Sequence, residues 1–133
     1  MSALVVDTHT AIWYLLDVSS LSPNAFAALD EAAEAGDSVY LTSISMVEVI
    51  YLVEKGRLPP SALEKLNSAL AEPDAGFVLA PLDLGVIQAL RQIPRDLVPD
   101  MPDRIIAATA LHLNLPLVTR DSEIRGAGIK TIW

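Results

Sequence analysis

Hydrophobic and polar positions along the chain form two kinds of segment that alternate. Short, largely apolar runs rich in valine, leucine and isoleucine are typical of strands buried on both faces, whereas longer mixed segments are typical of helices. Polar or turn-forming residues follow each short run and set its boundaries. We predict strands over residues 3–6, 38–41, 77–79, 117–119 and 130–132.

Capping residues and prolines indicate the helices between these strands. Ser22 and Pro23 form an N-cap followed by proline at the first helical position, and Gly36 is placed to end the same helix. Ser43 and Asp83 are the predicted N-caps of two later helices. The predicted helices cover residues 11–16, 23–35, 44–54, 60–72, 84–92 and 103–113, with a proline-bearing loop over 94–102.

Strands that alternate with helices predict an α/β protein, in which helices cover both faces of one parallel sheet. The length of 133 residues matches a single domain. Open parallel sheets bind their ligands beyond the carboxyl ends of the strands. At the ends of three predicted strands, the first, second and fourth, carboxylates and hydroxyls dominate: Asp7, Thr42 with Ser43, and Thr119 with Asp121.

Composition then narrows the class of protein. The chain has 9 basic and 17 acidic residues, a net charge of −8, which argues against a simple basic nucleic-acid module. The absence of cysteine excludes disulfides and thiolate metal sites. No apolar stretch approaches the roughly 20 residues that cross a bilayer, and the first residues do not resemble a secretory signal. We therefore expect a soluble, cytoplasmic protein without membrane contact.

Four carboxylates carry the candidate chemistry. Asp7, Asp103 and Asp121 each lie at or near a predicted helix start, so capping is the simpler interpretation of each one alone. Glu48 differs, because its neighbours in the third predicted helix are almost all apolar. A buried carboxylate needs a cation, hydrogen-bond donors or a proton, unless Glu48 lies on a solvent-facing stripe with Ser45.

Taken together, the four carboxylates predict a metal site. If they meet at the strand ends, their mutual repulsion requires divalent cations or raised pKa values. Ligation by oxygen alone selects Mg²⁺ or Mn²⁺ over Zn²⁺. Such a site can activate water and stabilise an in-line displacement at phosphorus.

Four ordered segments of the chain resemble a known family. They read LVVDTH over 4–9, SMVEV over 45–49, PDRIIAATA over 102–110 and PLVTRD over 116–121. In this order they resemble a PIN domain and, more narrowly, the VapC-type toxin ribonucleases of bacterial and archaeal toxin–antitoxin pairs. The resemblance spans residues 4–132, so we expect one PIN domain over 1–133.

The resemblance implies both a fold and an activity. The fold is a three-layer α/β/α sandwich whose central parallel sheet has the strand order 3-2-1-4-5. The activity is that of an Mg²⁺- or Mn²⁺-dependent endoribonuclease, which hydrolyses RNA phosphodiester bonds with metal-activated water. By motif, Asp7 and Asp103 would be the principal metal ligands. Glu48 and Asp121 would complete the site through water, by holding a second metal or by orienting the attacking water.

Residues beside the motifs are candidates for supporting roles. Thr119 matches a hydroxyl often found two residues before the fourth family acid, so we expect it to position a ligand or a phosphate oxygen. Arg104 and Arg120 each adjoin a proposed ligand, and arginine suits either phosphate contact or pairing with a carboxylate. Asp100 precedes the third acid by three residues and is a possible further acid. His9 is expected to be structural or at the surface, with a role beside the first acid left open.

The resemblance also implies partners. VapC-type toxins act on RNA, are usually homodimers and are clamped by a hydrophobic segment of a cognate antitoxin, which would explain a surplus of apolar residues on the helices. Two alternatives stay open: a non-toxin PIN nuclease of RNA processing, and a catalytically inactive PIN-like binding module. The compact length favours the toxin, and the presence of all four acids argues against the inactive module.

Overall fold

One parallel sheet organises the computed structural model, which describes residues 3–133. Its strands are β1 Leu4–Val6, β2 Val39–Thr42, β3 Phe77–Ala80, β4 Leu117–Val118 and β5 Thr131–Ile132. They lie in the order β3-β2-β1-β4-β5, which confirms the predicted order. In the central strand, Val5 is level with Tyr40 of β2 and with Leu117 of β4.

Six α-helices accompany the sheet within residues 3–133. They are α1 Thr8–Leu16, α2 Pro23–Ala35, α3 Ser43–Glu54, α4 Pro60–Ala71, α5 Leu84–Leu90 and α6 Met101–Leu113. Short 3₁₀ helices at Val18–Ser20, Pro73–Ala75 and Ser122–Ala127 are absent from the sequence prediction. None of the helices that the structure describes has the length and apolar character needed to cross a membrane.

Three of the predicted caps are confirmed, two at helix starts and one at a helix end. Ser22 caps α2 by accepting a hydrogen bond from the N–H of Ala25 at 3.0 Å. The same helix ends at Gly36, whose φ of 74° lies in the left-handed region that favours glycine. Asp83 caps α5 by accepting from the N–H of Val86 at 3.0 Å.

Two helices begin earlier than predicted. Helix α1 begins at Thr8, directly after its N-cap Asp7, and α6 begins at Met101 with Asp100 as its N-cap. Pro102 occupies the first turn of α6, where the N–H that proline lacks has no intrahelical partner in any helix. The prediction was wrong to extend the proline-bearing loop through this residue.

Helix α3 is capped by Thr42, and the prediction of Ser43 as its N-cap was wrong. The Thr42 hydroxyl accepts a hydrogen bond from the N–H of Ser45 at 3.2 Å. The side chains of Thr42 and Ser45 are 1% and 0% exposed, so two hydroxyls are buried at the start of the helix that carries Glu48.

Hydrophobic clusters cover both faces of the sheet, as the three-layer prediction requires. Leu4 and Val6 belong to a cluster shared with helices α1 to α4, whereas Val5 belongs to one shared with α5 and α6. This alternation follows from the two-residue period of a strand. Because both faces are buried, the polar residues that follow the strands lie at the carboxyl ends of the strands, outside the hydrophobic clusters.

Helix α6 packs closely on the sheet because small residues line its buried face. Ala107 and Ala108 are 0% exposed and Ala110 is 1% exposed. They share a hydrophobic cluster with Val5 and Leu117 of the two adjacent strands. This packing holds the start of α6 in place relative to the end of β1.

Two groups of exposed apolar side chains lie on the surface that the structure describes. The α3 surface consists of Val47, Ile50, Tyr51 and Met101. What we call the β3–α5 surface comprises the exposed apolar residues of β3, of α5 and of the loop between them: Val78, Leu79, Leu82, Leu84 and Ile87. Contiguous exposed apolar side chains commonly mark contacts with other proteins.

Helices α5 and α6 meet where Gly85 faces the imidazole ring of His112. A Cβ atom added to Gly85 would lie 2.3 Å from Cε1 of that ring. The ring of His112, which is exposed to solvent, therefore packs against α5 at Gly85.

We expect Gly85→Ala to lower the free energy of unfolding in the wild type and to raise it when His112 is replaced by alanine. In the wild-type background the new methyl group displaces the ring, and we expect a loss of about 0.5 kcal/mol in the free energy of unfolding. In a His112→Ala background the clash is gone, and the better helix propensity of alanine should stabilise the protein by about 0.5–1 kcal/mol. Urea denaturation of the four proteins measures both values. Equal effects in the two backgrounds would contradict the contact.

Candidate active site

Asp7 is placed by the end of β1 and the start of α1. As the N-cap of α1, its Oδ1 accepts a hydrogen bond from the N–H of Thr10 at 2.9 Å. Its Oδ2 accepts one from the Thr119 hydroxyl at 2.5 Å. Both oxygens are therefore oriented, one by the helix that follows and one by the neighbouring strand.

Thr119 connects two of the predicted site acids. It is 2% exposed and directly follows β4, the neighbour of β1 in the sheet. Its hydroxyl donates to Asp7 and accepts from the N–H of Asp121 at 3.1 Å. Asp121 in turn caps the 3₁₀ helix Ser122–Ala127 through the N–H of Glu123. Thr119 thus holds one oxygen of Asp7, while its expected role toward a metal ligand or a phosphate oxygen stays a prediction.

Glu48 is half-buried on α3. Its Oε1 accepts a hydrogen bond from the Thr8 hydroxyl at 2.5 Å. Burial raises the pKa of the Glu48 carboxyl, and the charges of Asp100 and Asp7 raise it further, while the Thr8 hydroxyl and His9 act in the opposite direction. Because Thr8 directly follows Asp7 and its hydroxyl reaches Glu48, α3 brings Glu48 toward the end of β1.

Asp103 lies in the first turn of α6 and is influenced by every other acid of the site. Burial raises the pKa of its carboxyl to about 7, with further contributions from Asp100, Glu48, Asp7 and Asp121. Asp100, the N-cap, accepts a hydrogen bond from the Asp103 N–H at 3.2 Å. We call these five carboxylates the acidic site, and Asp100, which the sequence left open, is part of it.

The donor chemistry of the acidic site suits a hard divalent cation, because its side-chain ligands are carboxylate oxygens. Its carboxylates, however, are not gathered into a coordination sphere. Within residues 3–133 no group of three or more histidine, aspartate or glutamate side chains lies close enough together to hold a metal ion. The residues fit such an ion in donor type and charge.

A depression of about 370 Å³ opens beside three of these acids, Asp7, Asp103 and Asp121. The other residues that line it are His9, Trp13, Thr119 and Arg120. The rings of His9 and Trp13 are 5.7 Å apart, and His9 and Arg120 are exposed to solvent. The depression therefore combines carboxylates with an imidazole, an indole and a guanidinium group.

Arg104 has different partners from those that the sequence suggested. Its Nε donates to the carbonyl oxygen of Ile93 at 2.9 Å, and its guanidinium also donates to the carbonyl oxygen of Leu90 at 3.2 Å. These bonds connect α6 to the end of α5. Arg104 therefore has a structural role, and of the two arginines only Arg120 lines the depression.

Sequence reasoning missed Thr8, whose hydroxyl holds Glu48. Thr8 and Ser45 are buried and contact each other at 2.9 Å, and Thr8 also reaches the Glu48 carboxylate. Ser45 shares a helix face with Glu48, as the sequence suggested, but this face is not a solvent-facing stripe, because Ser45 is buried. Thr8 gives no local signal of its contact with Glu48, because it is 40 residues away along the chain.

The fold and the acidic site together define a parallel α/β domain with carboxylates grouped at the carboxyl edge of its sheet. The PIN domain family model matches residues 4–130, and the chain belongs to the PIN-domain family. It is similar to Ribonuclease VapC22 of Mycobacterium tuberculosis (strain ATCC 25618 / H37Rv). The two are 30% identical over 127 residues, which cover 94% of this chain and 92% of that protein.

Solved structures share the fold along almost the whole chain. VapBC2 from Rickettsia felis, bound to a DNA fragment from their promoter, superposes with a TM-score of 0.73 at 16% identity, over 97% of this chain and 96% of that one. FitAcB from Neisseria gonorrhoeae superposes with a TM-score of 0.62 at 26% identity, over 96% and 95%.

Removing the charge of Asp103 should stabilise the metal-free protein. A carboxyl whose pKa is raised on folding disfavours the folded state when ionised, so this cost is absent below about pH 4, grows as the pH rises to about 7 and is constant above. We expect Asp103→Asn to raise the free energy of unfolding at pH 8 by about 1 kcal/mol, after allowance for solvent screening. The gain should vanish near pH 4.

Thermal unfolding between pH 4 and pH 8, without metal, measures this gain. Asp96→Asn is the control, because Asp96 is an exposed loop carboxylate outside the acidic site. A lower melting temperature for Asp103→Asn at every pH would show that Asp103 acts only as a favourable charge at the start of α6.

Proposed function

We propose that this protein is a metal-dependent endoribonuclease and the toxin of a toxin–antitoxin pair. One observation carries the proposal: Asp7 from the end of β1, Asp103 from the first turn of α6 and Asp121 from the segment after β4 line the same depression. Carboxylates brought together from distant parts of a chain are costly without a cation. Membership of the PIN-domain family and the similarity to Ribonuclease VapC22 support the same activity.

Mg²⁺ or Mn²⁺ is the cofactor that these residues suit. Asp7 and Asp103 would hold the principal ion, while Glu48 and Asp121 would bind it through water, hold a second ion or orient the attacking water. When bound, the ion offsets charge on the phosphate oxygens and makes water a better nucleophile at neutral pH.

The remaining residues prepare the site for an RNA strand. Thr119 and the N–H of Thr10 hold both oxygens of Asp7, so this carboxylate is oriented before the substrate binds. Arg120 is exposed at the rim of the depression, where its guanidinium suits a phosphate of the bound strand. The aromatic rings of His9 and Trp13 line the same depression and suit contact with a base.

The toxin role rests on the names of the relatives and on the exposed apolar side chains. A toxin-antitoxin complex from Klebsiella pneumoniae contains a chain of the same fold, with a TM-score of 0.59 at 23% identity over 90% of this chain and 87% of that one. The α3 surface and the β3–α5 surface offer apolar area for a second copy of this chain and for an antitoxin segment. A chain of net charge −8 suits a basic antitoxin segment.

RNA cleavage by the purified protein tests the activity. We expect cleavage of a labelled single-stranded RNA with Mg²⁺ or Mn²⁺ and none with EDTA. Asp7→Asn and Asp103→Asn should each lower kcat/KM by about 100-fold or more, since even substitutions outside the ligand set of a metal site commonly reduce activity by about 10–100-fold. Asp96→Asn is the matched control and should cleave normally. Cleavage that survives both chelation and these substitutions would refute the mechanism.

Growth of a bacterial host tests the toxin role separately. Induced expression of the wild-type chain should arrest growth, and Asp7→Asn should relieve the arrest because the cleavage that causes it is lost. Co-expression of the protein encoded by a small adjacent gene should also restore growth and copurify with this chain. An active nuclease that neither arrests growth nor copurifies with a partner would instead favour a PIN nuclease of RNA processing.

A further inference from the structure

Three buried hydroxyls form a row that runs from Thr42 through Ser45 to Thr8 and ends at the carboxylate of Glu48. Thr8 Oγ1 lies 2.5 Å from Glu48 Oε1 and 2.9 Å from Ser45 Oγ. Ser45 Oγ lies 3.1 Å from Thr42 Oγ1, which accepts a hydrogen bond from the Ser45 N–H at 3.2 Å. We call Thr42, Ser45 and Thr8 the hydroxyl relay; none of the three is more than 3% exposed.

When Glu48 is ionised, the hydrogen bonds of the hydroxyl relay all run in one direction, because each hydroxyl has a single proton to donate. A carboxylate only accepts hydrogen bonds, so the single hydroxyl proton of Thr8 is donated to it, and hydroxyl protons rotate to suit their acceptors. Thr8 then accepts from Ser45, and Ser45 accepts from Thr42. The oxygen of Thr42 is satisfied in turn by the Ser45 N–H. Every donor of the relay points toward the carboxylate, and aligned hydrogen bonds strengthen one another.

Two other buried threonines, Thr10 and Thr109, are satisfied in a simpler way. The Thr10 hydroxyl donates to the carbonyl oxygen of Val118 at 3.1 Å, and the Thr109 hydroxyl donates to that of Ile105 at 2.9 Å. Each needs only a backbone partner. The hydroxyl relay differs because it joins two helix starts and ends on an ionisable side chain of the acidic site.

We propose that Thr8 is a positioning residue and that the hydroxyl relay sets the place of the Glu48 carboxylate relative to Asp7. Thr8 follows Asp7 in the chain, so one turn of backbone holds the first acid as an N-cap and the second through a side chain. Glutamate has several rotatable bonds, which the relay immobilises before a ligand arrives. This inference rests on the proposed function, in which Glu48 completes the site.

Three substitutions separate the hydroxyl from the shape of the side chain. Thr8→Val removes the hydroxyl, Thr8→Ser keeps it, and Thr109→Val is a matched control that removes a buried hydroxyl elsewhere. We expect Thr8→Val to lower kcat for RNA cleavage by about 10–100-fold while KM changes by less than about threefold. Thr8→Ser should recover kcat to within about threefold of the wild type, and Thr109→Val should match the wild type.

Binding of Mn²⁺ alone, measured by calorimetry, provides a readout that does not depend on cleavage. Thr8→Val should weaken Mn²⁺ binding by about 10-fold, because Glu48 is no longer held in place. Glu48→Gln should weaken it as well. If Thr8 acts through Glu48, the double variant should bind no more weakly than Glu48→Gln alone.

Urea unfolding of the metal-free protein distinguishes failure of this inference from failure of the proposed function. If the wild-type chain neither cleaves RNA nor binds Mn²⁺, the proposed function fails. The hydroxyl relay is then tested only by the energetic coupling between Thr8 and Glu48 in urea unfolding. The loss of unfolding midpoint caused by Thr8→Val should then shrink in a Glu48→Met background, which offers no carboxylate to the Thr8 hydroxyl. Additive effects of the two substitutions would overturn the relay.

Two further outcomes would also overturn the inference. One is a Thr8→Val protein that cleaves RNA and binds Mn²⁺ as the wild type does, or that loses no more than Thr109→Val. The other is a Thr8→Ser protein as impaired as Thr8→Val, because the hydroxyl would then not be the group that matters. If Thr8→Val does not fold, Ser45→Ala replaces it, since it breaks the relay one step earlier.

Discussion

Strand β1 is three residues long, yet it pairs with β2 on one side and with β4 on the other, and none of its residues is more than 4% exposed. A strand buried on both faces and paired along both edges has no freedom to shift its register, because one step would exchange the two sets of core side chains. Asp7 follows this strand directly. Its position is therefore set by the whole core, and the other elements of the site are arranged around it.

The acidic site is a balance between like charges and the groups that hold them. Burial and mutual repulsion raise the pKa of Asp103 and Glu48. Ionising these two carboxyls therefore costs free energy in the folded chain. Capping N–H groups and buried hydroxyls offset part of that cost for Asp7 and Glu48. Within residues 3–133 no hydrogen-bond donor contacts the Asp103 carboxylate. A cation would therefore stabilise the ionised form of Asp103, which no hydrogen bond stabilises.

Features that depend on residues close together in the chain could be predicted from the sequence, whereas contacts between distant residues could not. The strands and helices were predictable because their signals are local: apolar runs, capping residues and prolines. Asp7, Glu48, Asp103 and Asp121 could be proposed because each interrupts or ends such a pattern. The start of α6 was placed wrongly, since a proline in the first turn of a helix looks the same in sequence as a proline in a loop.

The sequence by itself determined the fold class and, through its family resemblance, the strand order, and it proposed four of the five carboxylates of the acidic site. Only the tertiary structure decided how those acids are held and which neighbours face them. Thr8 meets Glu48 across 40 residues of chain and Thr119 meets Asp7 across 112, and no local pattern encodes such a distance. Arg104 shows the same limit, because adjacency to Asp103 in sequence did not reveal that its guanidinium points to the carbonyl oxygens at the end of α5.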